Sequence, residues 1–248
     1  MIERWIFLRD ARLDGRTRLA LAGLFGLALL ILLPLRLVLG WTGPESTGLA
    51  ARNVSGPVWA GTIADLRAGP VPLGTVSAGV RPLPLLIGRR EIWLERNGQA
   101  GTSPFRAIAA GGKGWMHLHD VNGQVSLPDG LGALPVAGIG FGDFALKLDD
   151  GRCTAVSGTV SLTLSSISAL LPQNLSLSGK ARCDKGALFV PMQGPSGLER
   201  MALRIEGNGN WTADLILTGL PVEVSGPLLD TGFSARPGGI GIRASGAL

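Results

Sequence analysis

The chain has 248 residues, of which 46% are apolar and 17% charged, with 38 Gly and 16 Pro. So few charges on so apolar a chain exclude intrinsic disorder, and that much Gly and Pro excludes a long helical bundle. The net charge of +5 does not mark a nucleic-acid surface, because most of the excess sits in residues 1–40 and no later basic run is longer than Arg89-Arg90.

Residues 1–18 read as a short basic tail. Leu19 to Leu35 then runs for 17 residues without a charge, Arg36 interrupts, and Leu37-Val38-Leu39 extend the apolar stretch. As a helix, Leu19 to Leu39 spans ~30 Å at about 1.5 Å per residue, the thickness of a hydrocarbon core. It has no polar face, unlike a core helix of that length. We read 19–41 as a transmembrane helix and 42–52 as a linker. A cleaved leader is the rival reading. Its apolar stretch is usually ~7–15 residues and ends close to a small-x-small site. Here the nearest such site, Gly48 and Ala50, lies well past the apolar run. Five Arg precede the helix, Arg16 and Arg18 among them, and only Arg52 follows within 20 residues. The positive-inside rule then places the tail in the cytoplasm and the remainder across the membrane. Arg36 snorkels to the far interface, where Trp41 also fits.

Residues 53–248 lose the helical period. Short alternating segments separated by Gly-containing turns read as half-buried strands. They include 123–127, 144–148, 158–164, 175–178, 201–205 and 211–217. In 158–164, Val160, Leu162 and Leu164 make one apolar face. Asp149-Asp150-Gly151, Asn122-Gly123 and Asn208-Gly209 suit tight turns with positive φ. Short helical turns are expected at Pro82–Ile87, Ile167–Leu171 and Gly226–Leu229. The predicted fold class is therefore mainly β. One N-terminal transmembrane helix precedes a curved antiparallel β-sheet or partial barrel, with a few short helices and with Gly at the bends. An exported domain lies in an oxidising compartment, so Cys153 and Cys183 read as a disulfide, with two reduced buried thiols as the alternative.

Residues for ordinary catalysis are scarce. His117 and His119 are the only histidines and share a strand face, with Asp120 pointing the other way. A zinc site needs a third ligand that no second cluster supplies. Gly138-Ile-Gly-Phe-Gly142 lacks the spacing and the following helix of a phosphate loop and reads as a backbone bend. We expect no enzyme, no metal and no cofactor.

Several segments resemble one family, in order and at the family's spacing. Asn53-Val-Ser-Gly-Pro-Val-Trp-Ala-Gly-Thr62 is similar to the GxxWxG segment that follows the membrane helix of type II secretion system protein N. Arg81-Pro-Leu-Pro-Leu-Leu-Ile-Gly-Arg89 is similar to its P-x-x-L-L-x-G-R segment. Cys153 to Leu164 and Leu177 to Cys183 resemble its Cys pair with an intervening strand. Family members often carry a Trp after the Leu-Gly-x-Val segment, where this chain has Ser77, Ala78 and Gly79. The resemblance marks Gly56, Trp59, Gly61, Pro82, Leu86 and Gly88 as structural or interface residues. It implies a component of the inner-membrane assembly platform of the type II secretion system, with other platform proteins as partners and its β domain in the periplasm. It also implies kinship with AsmA-like proteins. The alternative function is therefore a lipid or apolar ligand held in a β groove.

Overall fold

The computed structural model describes residues 15–37, 49–69, 71–98, 103–128, 130, 132, 134–165, 175–230 and 232–247. Helix α1 (Gly15–Ile31) has 17 residues and buries none of them. Leu19, Leu21, Leu24, Phe25, Leu27 and Leu29 to Leu32 are exposed, on every side of the helix. The helix expected over 19–41 therefore breaks after Ile31; 35–37 are helical again, and 38–41 lie outside the described residues. Pro34 explains the break: it has no N–H to continue the ladder, and it biases Leu33 away from helical geometry. Among the described residues no helix is long and apolar enough to cross a membrane. Trp41 and the expected turn at 167–171 lie outside the described residues.

Sixteen strands follow: β1 (Leu49–Ala50), β2 (Asn53–Ser55), β3 (Gly61–Ala68), β4 (Val71–Val80), β5 (Arg90–Arg96), β6 (Phe105–Gly112), β7 (Trp115–Ser126), β8 (Val136–Asp149), β9 (Arg152–Leu164), β10 (Leu175–Lys180), β11 (Arg182–Asp184), β12 (Ala187–Gln193), β13 (Glu199–Ile205), β14 (Asn210–Thr218), β15 (Ser234–Arg236) and β16 (Gly239–Ala247). Two short helices interrupt them, α2 (Pro82–Leu86) and α3 (Val222–Asp230). All strands belong to one antiparallel sheet ordered β1-β3-β4-β5-β6-β7-β8-β9-β10-β12-β13-β14-β16-β15, with β2 on β3 and β11 on β12. Among the described residues the sheet runs from one edge to another and does not close into a barrel. β1 lies in the stretch read as a linker, with Leu49 opposite Ala68.

Alternation decides the two faces. One row carries Val125, Ile139, Leu162 and Leu177 as cross-strand neighbours, and another carries Met192, Met201, Leu215 and Ile242. The opposite face carries Gln124, Gly140, Ser161, Ser178, Gln193 and Arg200 in one continuous row. A flat single sheet would leave the apolar row in water. Here Leu162, Leu164, Leu177, Met192 and Leu215 are all buried in one cluster reaching from Phe105 to Ala244. The sheet therefore curls over its own apolar face. β7 and β14 stand six places apart, roughly 29 Å if flat at about 4.8 Å per strand. Yet a Cβ on Gly132, after β7, would lie 3.1 Å from the Trp211 ring of β14. Leu127 and Leu134 from the β7–β8 connection and Leu228 and Phe233 from the β14–β16 connection fill the concave side. A second, smaller cluster of Leu35, Val58, Ile63, Leu66, Val76 and Ala78 sits under β2 to β4.

The bends come from β-bulges at three aspartates. Asp65, Asp120 and Asp143 have φ of 50°, 52° and 47°. Each sits at a register shift, in β3, β7 and β8 respectively. Asp tolerates this left-handed geometry better than most residues, and the extra residue re-aims its successor. The successors Leu66, Val121 and Phe144 are all buried. Opposite the Asp143 bulge, Gly158 takes φ 98°, and a Cβ there would lie 2.6 Å from Phe144 Cα.

Two sequence readings are corrected here. Asn122-Gly123 is the middle of β7 and not a turn, because Gly123 pairs with both Phe105 and Phe141. Gly138 to Gly142 is straight strand and not a bend; its glycines make room for Ser161 and Thr159 of β9. The Asp149-Asp150-Gly151 turn joins β8 to β9 as expected, with φ of 47° at Asp150 and 72° at Gly151.

Cys153 and Cys183 form the disulfide, across 30 residues with Cα atoms 5.5 Å apart. It ties β9 to β11. Arg204 Nη1 donates to Asp184 Oδ2 at 2.7 Å and reinforces the same corner from β13.

Candidate functional site

The sequence motif of Gly56, Trp59 and Gly61 forms a collar that fastens the end of α1 to the sheet. Three hydrogen bonds make the joint. The Trp59 indole N–H donates to the Leu30 carbonyl at 3.0 Å. The Leu35 N–H donates to Gly56 O at 3.0 Å, and the Val58 N–H to Leu33 O at 2.7 Å. The last two bonds make Pro34 and Pro57 an antiparallel bridge. They satisfy the Leu35 N–H and the Leu33 carbonyl, which the broken helix leaves without intrahelical partners. Leu35 then enters the small cluster with Val58 and Ile63 and is only 4% exposed. Gly61 is glycine because of this approach. A Cβ there would stand 2.6 Å from Leu35 Cδ2 and 2.7 Å from Ser55 O.

The collar continues into β4. The Val80 N–H donates to Val58 O at 2.9 Å. Trp59, Val80, Arg81, Pro82, Trp93 and Arg106 line one open cleft of about 300 Å³. Pro82 opens α2 in the first helical turn, where its missing N–H costs no bond. Leu86 closes α2 and faces solvent. Gly88 turns the chain back toward β5 with φ 75°. Arg16, Arg18 and Arg36 are exposed, the first two on α1. Cys153 and Cys183 lie in other strands, away from this joint.

Sequence reasoning missed Arg96. Its guanidinium donates to the carbonyls of Ser103 at 2.9 Å, Leu73 at 2.7 Å and Gln124 at 2.5 Å. It also lies 5.9 Å from the centre of the Phe105 ring. Partial burial lowers its pKa from the usual guanidinium value by desolvation. One side chain thus clamps β4, the 103–104 segment and β7. No local signal announces this, because all three acceptors are main-chain atoms brought in by the topology.

The histidines are not assembled into a site. His117 packs against Trp115 in a tilted ring contact, with centres 4.9 Å apart and planes at 57°. The bulge at Asp120 overturns the expectation that its carboxylate points away: Asp120 Oδ2 lies 3.6 Å from His119 Nδ1. Among the described residues no group of three or more His, Cys, Asp or Glu is placed to hold a metal. On the polar face, a shallow cleft of about 480 Å³ holds Gln193, Arg200 and Asp214. Asp214 there accepts from Arg243 Nη2 at 3.0 Å.

These features define a class: a long, open antiparallel sheet curled over its own core, with an apolar helix fastened to its N-terminal end. The comparison with protein families gives the particular one. The model of type II secretion system protein N matches residues 47–228. The chain belongs to that family and is a type II secretion system component. No curated protein and no solved structure matches the chain.

Proposed function

We propose that this chain is a non-enzymatic inner-membrane component of the type II secretion system and contributes to its assembly platform. Family membership supplies the system. The observation that carries the membrane reading is α1. It exposes Leu19, Leu24, Phe25, Leu27, Leu29, Leu30 and Ile31 around its whole circumference. Such a helix has no stable place in water. Its 17 residues cover about 25 Å, and snorkelling of Arg16 and Arg18 with local thinning accommodates the shortfall from a ~30 Å core. The excess of Arg before Leu19 favours a cytoplasmic start and a periplasmic sheet.

The β domain then serves as a rigid arm for contacts with other platform proteins. Along β16, the residues beyond Gly241 have β14 on one side and no strand on the other among the described residues. That edge supports contact by strand addition. The alternative of an acyl chain in the groove needs an open apolar face. The concave face is instead filled by Leu127, Leu134, Leu228 and Phe233.

Carbonate extraction of inner membranes, followed by protease treatment of spheroplasts, tests the placement. We expect the chain to stay in the pellet and its β domain to be cleaved from the periplasmic side. Release by carbonate, or protection of the domain in intact spheroplasts, contradicts it.

A further inference from the structure

Among the described residues of the β domain, exposed large apolar side chains stand singly except at α2. Leu83, Leu86 and Ile87 are 75%, 84% and 71% exposed, and Leu85 is 38% exposed. The others, Leu49, Ile92, Met116, Leu198 and Leu229, are separate in sequence. Single exposed apolar residues are ordinary, whereas a contiguous group marks a contact. The group is flanked by cations. Arg81 precedes α2 and pairs with Glu91 at 3.6 Å. Arg89 and Arg90 follow it and are exposed. Its place in the fold matters equally. Arg81 and Pro82 share a cleft with Trp59, whose indole holds the last turn of α1. The apolar knob therefore projects from the end of the sheet to which the apolar helix is fastened.

We propose that α2 is a second membrane contact. Leu83, Leu86 and Ile87 enter the headgroup–acyl boundary of a phospholipid surface, and Arg89 and Arg90 meet lipid phosphates. The occupant is lipid because the knob adjoins a helix whose own surface demands hydrocarbon, and because the cationic flank complements phosphate. Five residues of convex helix offer no groove for a peptide. Two contact points at one end would reinforce the tilt of the sheet relative to the bilayer. The inference rests on the membrane reading of α1, and its test separates the two.

The full-length protein is given one nitroxide label, at Leu86→Cys, Ser196→Cys or Leu24→Cys, and reconstituted in phosphatidylethanolamine–phosphatidylglycerol vesicles. The native cysteines are disulfide-bonded and do not react. Ser196 lies in the β12–β13 turn, at the opposite end of the strands from α2. Collision rates with lipid-soluble oxygen and with a water-soluble nickel chelate are compared. We expect a several-fold higher oxygen-to-nickel ratio at position 86 than at position 196. We also expect that ratio to fall when Arg89→Gln and Arg90→Gln are added. Equal ratios at 86 and 196 overturn the proposal, and an unchanged ratio in the Gln variant removes its phosphate half. The label at 24 reads the anchor alone. A lipid ratio at 24 with an aqueous one at 86 discards the second contact and keeps the anchor. The reverse pattern discards the anchor and keeps the contact at α2.

Discussion

At the scale of single residues, stability rests on a few side chains that reach across the sheet. Arg96 makes three charge-assisted bonds to main-chain oxygens. Arg96→Ala leaves those carbonyls without that donor, and we expect a loss of about 2 kcal/mol in urea unfolding. Arg96→Lys restores little, because an ammonium cannot present the planar fork. At the collar, Gly61→Ala forces a methyl against Leu35 and the Ser55 carbonyl. Overpacking of this kind costs about 1–3 kcal/mol. We expect it to appear locally, as faster hydrogen exchange at residues 33–35 and 56–58, with the strands beyond β6 unchanged. These residues differ in how legible they were. The Gly and Trp of the collar stood out through a family resemblance that marked them only as structural or interface residues. Arg96 carried no sequence signal, since its partners are unremarkable main-chain atoms 7 to 28 residues away.

At the scale of elements, alternation was the reliable guide. Val160, Leu162 and Leu164 share a buried face because strand side chains alternate, and neighbours in register extend that face across the sheet. Turn chemistry was less reliable. Asp150-Gly151 makes a hairpin, whereas Asn122-Gly123 continues a strand, because β6 and β8 flank it with complementary registers. The three aspartate bulges were illegible, since Asp inside a strand reads only as a poor β-former. They give a sharp expectation. Asp143→Gly keeps the left-handed geometry and should leave the midpoint almost unmoved. Asp143→Val puts a β-branched residue at φ 47° and should cost about 1–2 kcal/mol. Chemical denaturation of both variants checks this, and equal effects would refute the bulge argument. The Cys153–Cys183 bridge closes a 30-residue separation. Replacing both by Ser should lower stability by about 3–4 kcal/mol in the chain-entropy model. For a domain of this size that is a fall of about 10 °C in Tm by calorimetry.

At the scale of the whole molecule, the break at Pro34 sets the architecture. A hydropathy pattern sees an apolar run to Leu39, but Leu35 is drawn into the β domain instead. The apolar helix is therefore joined to the sheet by hydrogen bonds and by a buried side chain rather than by a free linker. This makes a one-piece arm, with an apolar helix at one end, a long polar face and a stretch of β16 unpaired among the described residues. Such a shape suits holding partners in a fixed position near a membrane. The measurement closest to the central claim is gentle purification of the native chain from inner membranes, with mass spectrometry of what accompanies it. The structure and its family lead us to expect other components of the secretion platform at near-stoichiometric levels. Recovery of the chain with no secretion component present would contradict that account.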